Sequence, residues 1–252
     1  MITAAEVSSQ ELSMASIFID IGKKIGQNYA EWNSFYLIII NCINIVGTCF
    51  KSNSYNLPQL ITEYRKSVEN SFRTEDCDLL ILSENKYFTY VILNYLDDFE
   101  LLREYKQSEE ENFTEFHENV LNIDPYLKGQ YKTVSIGISN KRLVLVPGKI
   151  FNADQSTHYL ENSAPIWTSD QVMVDDIDQQ QIKVVYAFRN SILTQYQRQF
   201  PNALHHNALT QYIIGLNKLL KNVAGGYNLF INALYDTMYV VLYRNDELTF
   251  AN

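Results

Sequence analysis

The sequence predicts a mixed α/β fold in which one three-stranded antiparallel meander occurs twice. Three observations carry that expectation. Short apolar runs with strand-like alternation are separated by polar turns, and amphipathic helical stretches lie between groups of them. Most telling, "LLILSENKYFTYVILNYLDDFELL" from Leu79 is echoed strand for strand and turn for turn by "LFINALYDTMYVVLYRNDELTFA" from Leu229, 150 residues later. Self-similarity at a fixed offset is the mark of a repeated structural unit.

Taken in order, residues 78–83 ("DLLILS"), 87–95 ("YFTYVILNY") and 99–105 ("FELLREY") are three strands separated by the turn-prone "ENK" and "LDD". A helix is expected over residues 108–123. Ser108 caps it, acidic residues fill its first turn, and Phe113, Phe116, Val120 and Ile123 recur at helical spacing before Pro125 ends it. Residues 133–139 ("TVSIGIS") and 142–146 ("RLVLV") follow as strands, then 172–177 and 182–188 ("IKVVYAF"). Residues 190–200 form a helix with Ile192, Leu193, Tyr196 and Phe200 on its buried side. His206 or Asn207 then caps a long helix from Ala208 to about Val223, ended by Gly225 and Gly226. The second meander completes the chain.

Composition narrows the classes of function. At 252 residues and 46% hydrophobic content the chain can bury a substantial core, so disorder is not expected. Lysine and arginine total 20 against 29 acidic residues, a net charge of −9 with no cationic cluster, which weighs against a nucleic-acid partner. The three cysteines, Cys42, Cys49 and Cys77, lack the spacing of a zinc ribbon or a disulfide framework, and their number suits a reducing, cytoplasmic setting.

Residues 35–50, "FYLIIINCINIVGTCF", carry no charge. The run is short for a spanning helix and includes Asn41 and Asn44, so a buried strand or strand pair is the first reading. A membrane-peripheral contact through residues 35–50 is the alternative, with the protein at the membrane surface.

Together with the meanders, "RLVLVPGKIFNADQSTHYL" from Arg142, "VVYAF" from Val184, "QFPNALHHNALTQYI" from Gln199 and the closing "LTFAN" resemble a bacterial domain-of-unknown-function family with an actin-like fold. The resemblance covers about residues 72–252. It implies an actin-like (ribonuclease H-like) α/β architecture of two lobes, and it supplies no catalytic residue. The expected organisation is an N-terminal extension over 1–71, a first lobe over 72–225 and the start of a second lobe over 226–252. That second lobe looks incomplete, which suggests a fragment of a longer protein or elements supplied from elsewhere.

In actin-like ATPases the phosphates lie against the turns between the first two strands of each lobe, where glycine admits positive φ and removes a colliding Cβ. Here those turns read "LSENKY" (82–87) and "LYDTMY" (234–239), and neither contains glycine. Glu84 would set a carboxylate beside a triphosphate. A magnesium-bound ATP has as its candidate ligands Asp236, Thr237 and Lys86, with Asp20 and Gly22 of "IFIDIGKKIG" as weaker upstream candidates. No metal site is expected from His117 or His158, which have no Cys, Asp or Glu partner at ligand spacing, or from His205 and His206, an adjacent pair that reads as capping or surface. "DDID" at 175–178 reads as a solvated turn. The leading expectation is therefore a non-catalytic, cofactor-free protein of bacterial cytoplasm with an unknown protein partner. A divergent ATP-binding protein and a membrane-peripheral assembly factor are its alternatives.

Overall fold

A computed structural model of the chain describes residues 57–66, 72–96, 98–220 and 226–252. All of them belong to one unit, Thr48–Asn252. The first meander is β2 (Asp78–Ser83), β3 (Tyr87–Leu93) and β4 (Phe99–Lys106), each pair antiparallel. Strand β1 (Gln59–Arg65) adds antiparallel to the free edge of β4. It lies within the stretch that sequence patterning set apart as an extension. Arg103 of β4 fixes it in part, donating through Nε to Glu63 Oε2 at 2.7 Å.

After β4 the chain forms helix α1 (Phe113–Ile123) and returns as β5 (Thr133–Ile138), parallel to β2. Parallel neighbours need such a crossover because a tight turn can only reverse the chain. Asn112, not Ser108, is the N-cap of α1. Its Oδ1 accepts from Thr114 N and Glu115 N, and Glu115 reaches back to Asn112 N in a reciprocal capping box. Ser108 instead donates to the Glu111 carboxylate from both N and Oγ, at 3.0 Å each. The helix therefore starts five residues later than its acidic stretch suggests, and its inner side is Phe116, His117, Val120 and Leu121, with Ile123 exposed.

An inserted sheet follows, made of β6 (Leu143–Pro147), β7 (Asp170–Ile177) and β8 (Ile182–Arg189), with β8 central and antiparallel to both neighbours. The short helix α2 (Ser156–Glu161) covers it, and Leu160 packs with Val146, Val185 and Ala187 in a small core. Helix α3 (Asn190–Gln199) then leads to β9 (Leu204–Asn207), which runs parallel to β5 and completes a six-stranded sheet in the order β1-β4-β3-β2-β5-β9. Every residue of β3 after Tyr87 is buried. Successive side chains point to opposite faces, so this strand is covered on both sides.

Helix α4 (Ala208–Leu220) begins directly after β9. Asn207 is its cap, accepting from Leu209 N at 2.9 Å. Asp175 is buried, against the expectation of a solvated turn. Its carboxylate accepts from Asn207 N at 2.6 Å and from the Tyr186 hydroxyl at 3.3 Å, with His206 Nδ1 at 3.4 Å, so it joins the inserted sheet to the end of β9.

The second meander is β10 (Tyr227–Ala233), β11 (Met238–Arg244) and β12 (Glu247–Ala251), again antiparallel throughout. Asn245 and Asp246 turn the second hairpin with φ of 49° and 67°. Asn and Asp tolerate this left-handed region, and two such residues in succession match the twist of a tight hairpin. Tyr239, Val241 and Tyr243 face inward, and the Tyr243 hydroxyl donates to Asn217 Oδ1 of α4 at 2.7 Å. Tyr227, Leu229, Met238 and Phe250 lie exposed.

Candidate functional site: two turns in contact

The turn between β2 and β3 is closed by Glu84 N–H donating to the Tyr87 carbonyl at 3.0 Å, and the turn between β10 and β11 by Leu234 N–H donating to the Thr237 carbonyl at 2.8 Å. Both bonds span three residues at positions 150 apart, so the two turns share one main-chain design as well as one place in their meanders. They also touch. Lys86 N–H donates to Asp236 Oδ2 at 3.2 Å across the two meanders. The Tyr87 and Tyr235 rings lie stacked, with centroids 3.9 Å apart and planes 14° from parallel.

Tyr235 continues the contact by donating its hydroxyl to Glu104 Oε2 of β4 at 3.0 Å. Thr62 of β1 donates to the same oxygen at 3.0 Å, and Thr89 of β3 to Oε1 at 3.3 Å. Burial raises the Glu104 carboxyl above the ordinary carboxylate range, while these hydroxyl donors pull it back.

Glu84 is the most constrained group. It is 2% exposed, and its Oε1 meets no hydrogen-bond partner among the described residues. Burial first, then the charges of Asp236 and Glu104, push its carboxyl up to about 8, against a smaller opposing contribution from a main-chain hydrogen bond with Asp236. At neutral pH such a group is mostly protonated, because an unpaired buried charge is far more costly than a neutral acid.

Immediately beneath, Ser83 ends β2 inside a closed polar chain. His117 Nδ1 lies 2.8 Å from the Phe113 carbonyl, which can only accept, so Nδ1 carries the proton and Nε2 accepts from the Ser83 hydroxyl at 3.0 Å. Ser83 Oγ in turn accepts from the Tyr196 hydroxyl at 2.9 Å. Burial lowers His117 to about 4 and raises Tyr196, so the ring is neutral. With Ser83 1% and His117 0% exposed, this serine–histidine pair has no open side from which to meet a substrate. Its geometry instead anchors the first turn between α1 and α3.

Of the residues singled out from sequence, Lys86, Asp236 and Thr237 are brought together here, Thr237 through the carbonyl that closes its turn. Asp20, Gly22 and residues 35–50 lie outside the described residues. Sequence reasoning missed Tyr87, Tyr235, Glu104 and the Ser83–His117 pair. The tyrosines were legible as members of aligned turns, but their stacking depends on how the meanders meet.

Residues that cradle a triphosphate present amide hydrogens and cations to an open space. This arrangement does not fit that demand: two rings in van der Waals contact and a buried carboxyl stand between the turns. Among the described residues, no group of three or more His, Cys, Asp or Glu side chains is placed to hold a metal ion.

No curated protein matches the sequence. A solved structure from Bacteroides thetaiotaomicron, described as a protein with actin-like ATPase fold and unknown function, matches with a TM-score of 0.65 at 19% identity, over 71% of this chain and 70% of the other. The fold is therefore actin-like, a mixed α/β architecture with a duplicated meander. The model of the family described as "Protein of unknown function (DUF3822)" matches residues 67–252, and the chain belongs to that family.

Proposed function

We propose that this chain is a non-catalytic actin-like protein of the cytoplasm that acts through contacts with another protein, its two phosphate turns having become a contact between the meanders. The observation that carries the reading is the Tyr87–Tyr235 stack beside the Lys86–Asp236 hydrogen bond. An aromatic pair at this separation leaves no layer for phosphate between its rings. Loss of glycine from both turns agrees with it.

One observation favours a divergent ATP-binding protein as the second reading: Asp236 and the Lys86 main chain, from the two residues proposed for magnesium and phosphate, are in contact across the meanders. A thermal melt with and without millimolar Mg-ATP separates the two, since a ligand that binds only the folded state raises its stability by mass action. The expected result is no shift, in the natural sequence or in Asp236→Ala. A rise of several degrees that Asp236→Ala removes would establish a nucleotide site and overturn the proposal. Among the described residues no helix is long and apolar enough to cross a membrane. Sedimentation with liposomes tests the peripheral alternative directly.

A further inference from the structure

We propose that the two turns form a proton-operated clasp between the meanders, closed while Glu84 is protonated and released as Glu84 gives up its proton. The inference rests on the contact between the turns and not on the partner or ligand the protein serves.

The geometry has the parts such a device needs. One face of the contact is held by the Lys86 N–H bond to Asp236 and by the Tyr87–Tyr235 stack, both of which cross from one meander to the other. Glu84 lies buried beside them with one oxygen unpartnered. The groups facing it are Asp236 and Tyr235 from the β10–β11 turn, Tyr239 from β11, Glu104 from β4, and Tyr87 at the start of β3. None of these supplies a positive charge, and two are carboxylates. A negative Glu84 would therefore meet repulsion and poor solvation together, and separating the turns relieves both by admitting water.

The direction of the pH effect follows. With the clasp open, Glu84 titrates near the ordinary 4.5, and with it closed near 8. Closure is fully favoured below the open-form value. It weakens by about tenfold in the opening equilibrium for each pH unit up to the closed-form value, and changes no further above it. Glu104 is raised as well and acts in the same direction, but it keeps three hydroxyl donors that Glu84 lacks.

Amide hydrogen exchange on the full chain without nucleotide, corrected for the intrinsic pH dependence of exchange, reads this opening locally. The reporters are the amides of Glu84, Lys86 and Leu234, with the β3 amides as an internal control. In the natural sequence, protection of the reporters is expected to fall about tenfold per pH unit between pH 6 and 8 and then level off, while β3 holds. Glu84→Gln, isosteric with the protonated acid, is expected to remove most of that slope. Asp236→Asn, at the exposed side of the contact, is expected to move the levelling-off to lower pH. Protection that does not depend on pH in the natural sequence overturns the proposal, as does a slope unchanged in Glu84→Gln but abolished in Glu104→Gln. The Mg-ATP melt is read separately, so a nucleotide-dependent shift there would sink the functional reading and leave the exchange result to stand or fall alone.

Discussion

His117 gives the sharpest test of how the candidate site is built. In the unfolded chain its imidazole takes up a proton near pH 6.5, whereas burial between Phe113 and Ser83 delays this to about 4. Between those values the unfolded state binds the extra proton, so stability rises with pH. His117's contribution is fully present above 6.5 and is lost as the pH falls to about 4. At about 1.4 kcal/mol for each tenfold change, the full loss is about 3 kcal/mol. Urea unfolding at several values between pH 4 and 7.5, on the natural sequence and on His117→Gln, isolates it. Glu84 and Glu104 titrate in both proteins with the opposite sign and cancel in the difference. The difference in unfolding free energy should be flat above pH 7 and shrink by about 1.4 kcal/mol per pH unit below 6.5. A difference that does not vary with pH would refute the neutral, fully enclosed imidazole and the Ser83 hydrogen bond inferred from it.

Two further outcomes test the scaffold around the site. Asp124 is 1% exposed and accepts from the Tyr90 and Tyr105 hydroxyls at 2.6 and 2.9 Å, Arg103 Nη1 at 3.1 Å and Tyr126 N at 2.9 Å. Asp124→Ala strands all four donors and should cost about 3–5 kcal/mol in urea unfolding, the range for breaking a buried ion pair. Asn112→Ala removes the cap of α1 and should cost about 1 kcal/mol, visible as a lower melting temperature with an unchanged fold by circular dichroism.

The parts of the fold readable in the sequence are those that local pattern determines. Strands β2 to β4 and β10 to β12 alternate or run apolar between polar turns, and their duplication showed in the 150-residue echo. Strand β9 escaped notice because "LHHN" has no alternation of its own. It is a strand because β5 offers a parallel edge and Asp175 binds its last amide. The start of α1 was misplaced because Ser108 and Asn112 are both good caps. The reciprocal bond with Glu115 decides for Asn112, a spacing that the acidic run disguised. Ser83 and His117 lie 34 residues apart with no motif linking them, so their pairing is a product of α1 packing on the sheet. Turn identity was legible at Lys86 and Asp236, but the closure of one turn on the other was not, since it depends on long-range placement.

The meeting of Lys86 with Asp236 has a consequence that only the duplication explains. The two residues occupy equivalent positions in the repeat, 150 apart, so each touches its own counterpart. Such self-matching contacts occur on the two-fold axis of a symmetric dimer, where identical subunits must set each residue against its copy and any charge against the same charge. Within a single chain the two copies are free to differ. Here one copy presents a main-chain amide and the other a carboxylate, a complementary pair that two identical subunits could form only in duplicate, with a carboxylate on each side. At this one pair the contact between the meanders thus resembles half of a two-fold interface, with its two copies diverged into donor and acceptor.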